Sequence, residues 1–128
     1  MTVLVSGSRG WTDELIVESA LLHVAKSHET LMHGGARGLD SIAATIGARY
    51  FNYVKDYPVL SEHWQKYGKS AGIKRNIAMV DKLNKYDIVL AFIQNNSPGT
   101  SHCIKYALSR GITVAVFEQN YPRLDSLH

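Results

Sequence analysis

Three short runs concentrate the side chains that could do chemistry: Gly7-Ser8-Arg9-Gly10, Gly34-Gly35-Ala36-Arg37-Gly38-Leu39-Asp40 and Ser97-Pro98-Gly99-Thr100. Glycine lets a backbone bend sharply and approach a phosphate closely, and a helix start just beyond offers unpaired N–H donors at the positive end of its dipole. In the first run the Ser8 hydroxyl can donate, and the Arg9 guanidinium forks onto phosphate oxygens. The spacing is not GxGxxG, so a standard dinucleotide fingerprint is not supported. The second run places three glycines within five residues, a density costly in backbone entropy that marks a loop whose backbone must approach something. Arg37 projects from it. Asp40 stands where a helix cap would, and it also suits a carboxylate that accepts ribose hydroxyls or acts as a base. In the third run Ser97, Gly99 and Thr100 supply hydroxyl and N–H groups for a second anionic group, or Thr100 serves as a cap. His33 reads as a packed strand-end histidine or a general acid–base. Trp11 reads as a packing residue or a stacking platform. His102 and Cys103 are adjacent on a helix and diverge, so they form no nucleophilic pair.

Each run follows a β-rich stretch and precedes a helical one. Residues 2–6 (TVLVS) form a buried strand ending at Gly7, and residues 30–33 form a second ending at Gly34. Residues 52–59 form a weaker strand closed by Pro58. Residues 87–93 (DIVLAFI) are apolar on both faces and therefore central, and residues 113–117 (TVAVF) are the last strand. Between them lie a helix capped by Thr12 or Asp13 with Leu15, Ser19, Leu22 and Ala25 on its apolar stripe, and a small-residue helix over 40–50 that turns Ile42, Ala43 and Ile46 to the sheet. A helix over 68–85 carries Ile73, Ile77, Val80 and Leu83 on one stripe, and another runs to Arg110 with Gly111 as its C-terminal stop. The tail after Glu118 reads as loosely packed. The alternation predicts a Rossmann-like, three-layer α/β/α fold with about five parallel strands, one domain over 1–128. Ligands bind such sheets outside the carboxyl ends of the strands, where the winding reverses. That rule would bring the three runs to one electropositive cleft.

The 128 residues are 45% hydrophobic and 20% charged, which excludes wholesale disorder. One cysteine excludes an internal disulfide framework and a multi-cysteine zinc site, and no metal or cofactor is expected. No apolar run reaches the roughly 20 residues of a membrane span, and the amino terminus lacks the features of a signal peptide, so a cytoplasmic protein is expected. The net charge of +3 is uneven: residues 66–85 hold Lys66, Lys69, Lys74, Arg75, Lys82 and Lys85 against Asp81 alone. Such a local field suits an anionic ligand, from a nucleotide to a nucleic acid.

Together with Arg75-Asn76-x-x-Met79, these motifs stand in an order that resembles the SLOG superfamily, named for the Smf (DNA-processing protein A) and LONELY GUY proteins, and within it the small YspA-related branch. The resemblance implies a Rossmann-like fold binding a nucleotide or nucleotide-derived ligand, to sense, sequester or deliver it. Gly7, Ser8, Arg9, Gly34, Gly35, Ala36, Arg37, Gly38, Asn76, Ser97, Pro98, Gly99 and Thr100 would be its binding residues. LONELY GUY enzymes cleave the N-glycosidic bond of nucleoside monophosphates. By similarity to their Arg-x-x-x-Met segment, Arg75 would be a phosphate-binding or catalytic arginine. Their glutamate's place, three residues after Thr100, is Cys103, which leaves Asp40 as the carboxylate for such chemistry. Similarity to DNA-processing protein A implies instead single-stranded DNA, with Trp64 and Tyr67 beside Lys66 and Lys69 as platforms or as packing. A further branch senses cyclic or ADP-ribose-derived signals. Superfamily members often pair through helices, so a homo-oligomer is implied, with the stripe from Ile73 to Leu83 available for it.

Overall fold

In the computed structural model, which describes residues 1–119, β-rich runs end at Gly7, before Gly34 and before Gln94-Asn95, while a third run stops short of Pro58. Five strands, β1 (Thr2–Gly7), β2 (Thr30–His33), β3 (Tyr53–Asp56), β4 (Ile88–Ile93) and β5 (Thr113–Glu118), alternate with helices α1 (Glu14–Ala25), α2 (Leu39–Tyr50), α3 (Ser61–Tyr67), α4 (Ser70–Val80) and α5 (Pro98–Ser109). All pairings are parallel and the sheet order is β3-β2-β1-β4-β5. The winding therefore reverses between β1 and β4, the expected place for a cleft.

Strand alternation sorts the core into two layers. Val3, Val5, Leu31, Leu90 and Phe92 face α1 and α2, packing with Trp11, Leu21 and Ala43. Leu4, Met32 and Val89 face the other way, onto Met79, Val80, Cys103 and Ala107 of α4 and α5. β4 is interior as its two apolar faces require, although β1 is the middle strand. α5 ends in a Schellman turn: Gly111 has φ +74°, its N–H donates to Leu108 O at 3.0 Å, and Ile112 N–H reaches Ala107 O at 3.0 Å.

Three expectations need correction, and one alternative is decided. The buried stripe of α1 is Val17, Leu21 and Val24, whereas Leu15 is 77% exposed. Apolar residues surround this helix, so periodicity alone could not select the face. Asp13, not Thr12, caps it, with Oδ1 accepting Ile16 N–H at 3.2 Å. β3 is only four residues long and exposed throughout, as befits an edge strand stopped short of Pro58. Residues 61–67 form the short helix α3, which buries none of its residues and so lacks an apolar stripe by which to be recognised. α4 accordingly runs from Ser70 to Val80, with Ala71, Met79 and Val80 buried while Ile73 and Ile77 are only half-buried. Of the tail, Gln119 is described: its side chain exchanges hydrogen bonds with Thr12 N–H and Oγ1, both at 2.9 Å. Residues 120–128, expected to be loosely packed, lie outside the described residues. Among the described residues no helix is long and apolar enough to cross a membrane.

Candidate functional site

Ser8 ties the three turns together. Its N–H donates to Phe92 O at 3.0 Å, its carbonyl accepts Trp11 N–H and Leu39 N–H at 3.2 Å each, and its hydroxyl accepts Gln94 N–H at 2.9 Å. One buried residue thus fixes the β1–α1 turn, the start of α2 and the β4–α5 turn in one arrangement. Expected as a hydroxyl donor to a ligand, Ser8 lies instead beneath the cleft. The glycines allow this crowding. A Cβ on Gly38, at φ +72°, would lie 2.1 Å from Arg9 O, and one on Gly7 would lie 2.2 Å from Leu39 Cγ. In the third turn Asn95 and Asn96 adopt φ of 50° and 56°, the left-handed region that asparagine tolerates, and aim the first turn of α5 back over the strand ends.

Above Ser8 opens a cleft of about 800 Å³, the size of small-ligand sites. Gly7, Arg9, Ala36, Asp40, Arg75, Asn76, Ser97, Pro98, Gly99 and Thr100 line it, together with Val5, Ser6, Trp64, Lys69, Gly72, Ile73 and Met79. All three sequence runs and the Arg75 segment therefore meet. Gly34, Gly35 and Arg37 line an adjoining recess of about 220 Å³, which shares Arg9, Ala36, Trp64 and Arg75 with the main cleft. Gly38 supports the loop at the start of α2. Val5, Ser6 and Gly72 were not singled out in the sequence. A glycine inside the α4 pattern was the available signal for Gly72; for Val5 and Ser6 in a strand there was none.

Asp40 and Arg75 are the charged groups lining the cleft whose pKa values burial shifts. Asp40 sits in the first turn of α2 rather than at its cap, which is Gly38, because Leu39 N–H already bonds Ser8. Its Oδ2 accepts Ala36 N–H at 3.2 Å, while Oδ1 is buried without a partner. Burial raises the Asp40 pKa, against the Ala36 hydrogen bond and the positive field of Arg75. Arg75 is half-buried on α4. Its Nε donates to Asn76 Oδ1 at 2.8 Å, and its Nη1 donates to Gly34 O and, at 3.4 Å, to Tyr57 O. Burial lowers the Arg75 pKa; Asp40 opposes that shift and Arg9 adds to it. Asp40 keeps one oxygen unpartnered, and both side chains line the cleft.

The remaining residues separate clearly. His33 is buried with Nδ1 accepting Gly35 N–H at 3.0 Å, which holds the glycine turn. Trp11 is 1% exposed and packs edge-on against Phe92 at 5.4 Å, so it is a core residue. Cys103 is buried under the cleft, its thiol pKa raised by burial and lowered by a hydrogen bond with Ser6. Ser97 is the N-cap of α5 and Thr100 lies inside its first turn. An alanine Cβ at Gly99 would meet nothing within 4 Å, so the fold leaves open space where this first turn faces the cleft. Of the basic stretch, Lys69 and Arg75 line the cleft, whereas Lys66 and Lys74 lie over Tyr67, Lys82 over Tyr57 and Lys85 over Tyr86.

Residues 1–49, which carry the first two turns and Asp40, match the family described as YspA, cpYpsA-related SLOG. The chain is also 39% identical over 120 residues to the Gene 61 protein of Mycobacterium phage D29, covering 90% of this chain and 94% of that protein. The chain belongs to the YspA-related SLOG family. This SLOG chain shares its fold with a solved structure of DNA processing protein A from Helicobacter pylori, described for its single-stranded DNA binding mode. The TM-score is 0.66 at 15% identity, with 98% of this chain and 67% of that one covered. The YspA-related assignment agrees with the Rossmann-like architecture observed, whose winding reversal underlies the cleft.

Proposed function

We propose that this protein binds a nucleotide or nucleotide-derived ligand in the cleft above Ser8. N–H groups of the first turn of α5 and the Arg9 side chain receive a phosphate beside Gly7, and Arg75 neutralises the charge. Asp40 accepts sugar hydroxyls. One observation carries this reading: a buried carboxylate oxygen without a partner and the half-buried Arg75 guanidinium line the same glycine-walled space. A ligand bringing hydroxyl donors to one and a phosphate to the other relieves the desolvation of both. Saturating nucleotide, at about 100 times its Kd, should stabilise the protein by ~2.7 kcal/mol in a thermal-shift assay. Arg75→Lys, which keeps a charge, and Arg75→Ala should both weaken nucleoside monophosphates more than the matching nucleosides. Equal losses for the two compounds would remove Arg75 from the phosphate. A protein unaffected by any nucleotide or sugar phosphate would sink the reading.

The placement of Trp64 and Lys69 at the cleft supports a second reading, single-stranded DNA, which the related fold described for that activity also suggests. Binding by phosphate contacts would weaken steeply with added salt, whereas a single mononucleotide would show a shallow dependence. Glycosidic cleavage would rely on Asp40, because Cys103 is turned into the core beneath the site. Release of free base from nucleoside monophosphates, followed by chromatography, tests it.

A further inference from the structure

Trp64 is only partly used by packing: its ring edge rests against α4 at Gly72, and the rest stays open. It sits on α3, a seven-residue helix with no buried residue, and it is 40% exposed. With Leu60 and Tyr67 it forms an exposed apolar group on one short segment, whereas Trp11 is fully packed against Phe92. Trp64 lines both the main cleft and the recess behind Gly34 and Gly35, so it stands at their junction. The far edge of the indole (Cη2) lies 3.9 Å from where a Cβ on Gly72 would be, so the missing side chain lets the ring rest against α4 beside the cleft. The anion-accepting groups, Gly7 and the first turn of α5, line the same cleft.

We infer that Trp64 is the platform on which the ligand's nucleobase stacks, an inference that rests on the nucleotide reading above. The recognised class is then a nucleotide rather than a bare sugar phosphate. Beside the ring, Gly72 and Ile73 carry no hydrogen-bonding side chain, Lys69 offers only a cation, and Asn76, one turn further along α4, has its Oδ1 taken by Arg75 Nε. Base recognition is therefore by stacking, which every base permits and which grows with ring area. Purine nucleotides bind several-fold more tightly than pyrimidine ones, with little distinction between adenine and guanine.

The two tryptophans allow a direct test, because Trp11 is buried and Trp64 is the exposed reporter. Adenosine 5′-monophosphate and ribose 5-phosphate are titrated into the wild type and into Trp64→Ala and Trp64→Phe, with calorimetry and intrinsic emission read together. The expected result is that the nucleotide quenches emission in the wild type and not in Trp64→Phe. It binds roughly tenfold more tightly than ribose 5-phosphate. Trp64→Ala removes most of that advantage and leaves ribose 5-phosphate unaffected, while Trp64→Phe retains part of it. Equal affinities for the two compounds in the wild type, binding without quenching, or equal losses for both in Trp64→Ala would overturn the platform while leaving the phosphate site standing. Failure of both compounds to bind would overturn the platform and the nucleotide reading together.

Discussion

Asp40 is where the demands of folding and of the site diverge. Its carboxyl is 5% exposed, keeps one oxygen unpartnered, and has a pKa raised chiefly by burial. The folded state thus holds the Asp40 proton more tightly than the unfolded chain does. The associated stability is present below the unfolded pKa and lost as pH rises through the folded value. Asp40→Asn keeps an oxygen for Ala36 N–H and removes the ionisation. The variant should therefore melt at a higher temperature than wild type at about pH 7, with the gain shrinking toward about pH 4. Melting curves across that range check it. A gain that does not change with pH would mean that Asp40 does not ionise against its surroundings. The residue's type and position were legible in the sequence. Its unpartnered oxygen was not, because the helix begins at Leu39 with Gly38 as its cap, which sets Asp40 inside the first turn rather than at the capping position.

At the scale of elements, two glycines at the ends of strand-to-helix connections behave oppositely. Gly38 is required by the fold, since φ +72° and the carbonyl of Arg9 exclude any side chain. Gly38→Ala should cost at least about 1–3 kcal/mol in denaturant unfolding. Gly99 is not required by the fold, because a Cβ there meets no protein atom. Gly99→Ala should be neutral or stabilising by up to about 1 kcal/mol, through reduced backbone entropy in α5. It should nevertheless weaken phosphate-bearing ligands if the first turn of α5 approaches them closely. Stability gained with affinity lost, measured on one sample by melting and calorimetry, separates a glycine kept for ligand approach from one kept for the turn. From the sequence both were simply glycines in polar runs; which of them faced backbone and which faced open space is set by the neighbouring strand's loop.

For the molecule as a whole, the sheet is a spacer that holds the three turns at one edge, and its rigidity depends on packing just below them. Phe92 is fully buried, stacks on Phe117 at 5.0 Å, meets Trp11 edge-on, and its carbonyl accepts the Ser8 N–H. Phe92→Ala should cost about 3–5 kcal/mol and diminish the near-ultraviolet circular dichroism of Trp11. A loss below about 1 kcal/mol would mean that the strand ends are held by something other than this cluster. The sequence by itself determined the parallel α/β architecture, because short β-rich runs alternating with helical stretches, three of them stopping at glycine or asparagine turns, admit few other layouts. It also marked Arg75, Asp40 and the three turns, whose residue types are unusual for their local structure. Tertiary structure alone decided which α1 stripe is buried, that Ser8 supports the site from beneath, and that Trp64 on an unforeseen helix stands at the cleft. Local periodicity reports a residue's neighbours along the chain, whereas these outcomes depend on the β3-to-β4 crossover and on contacts between segments as far apart as Ser8 and Gln94.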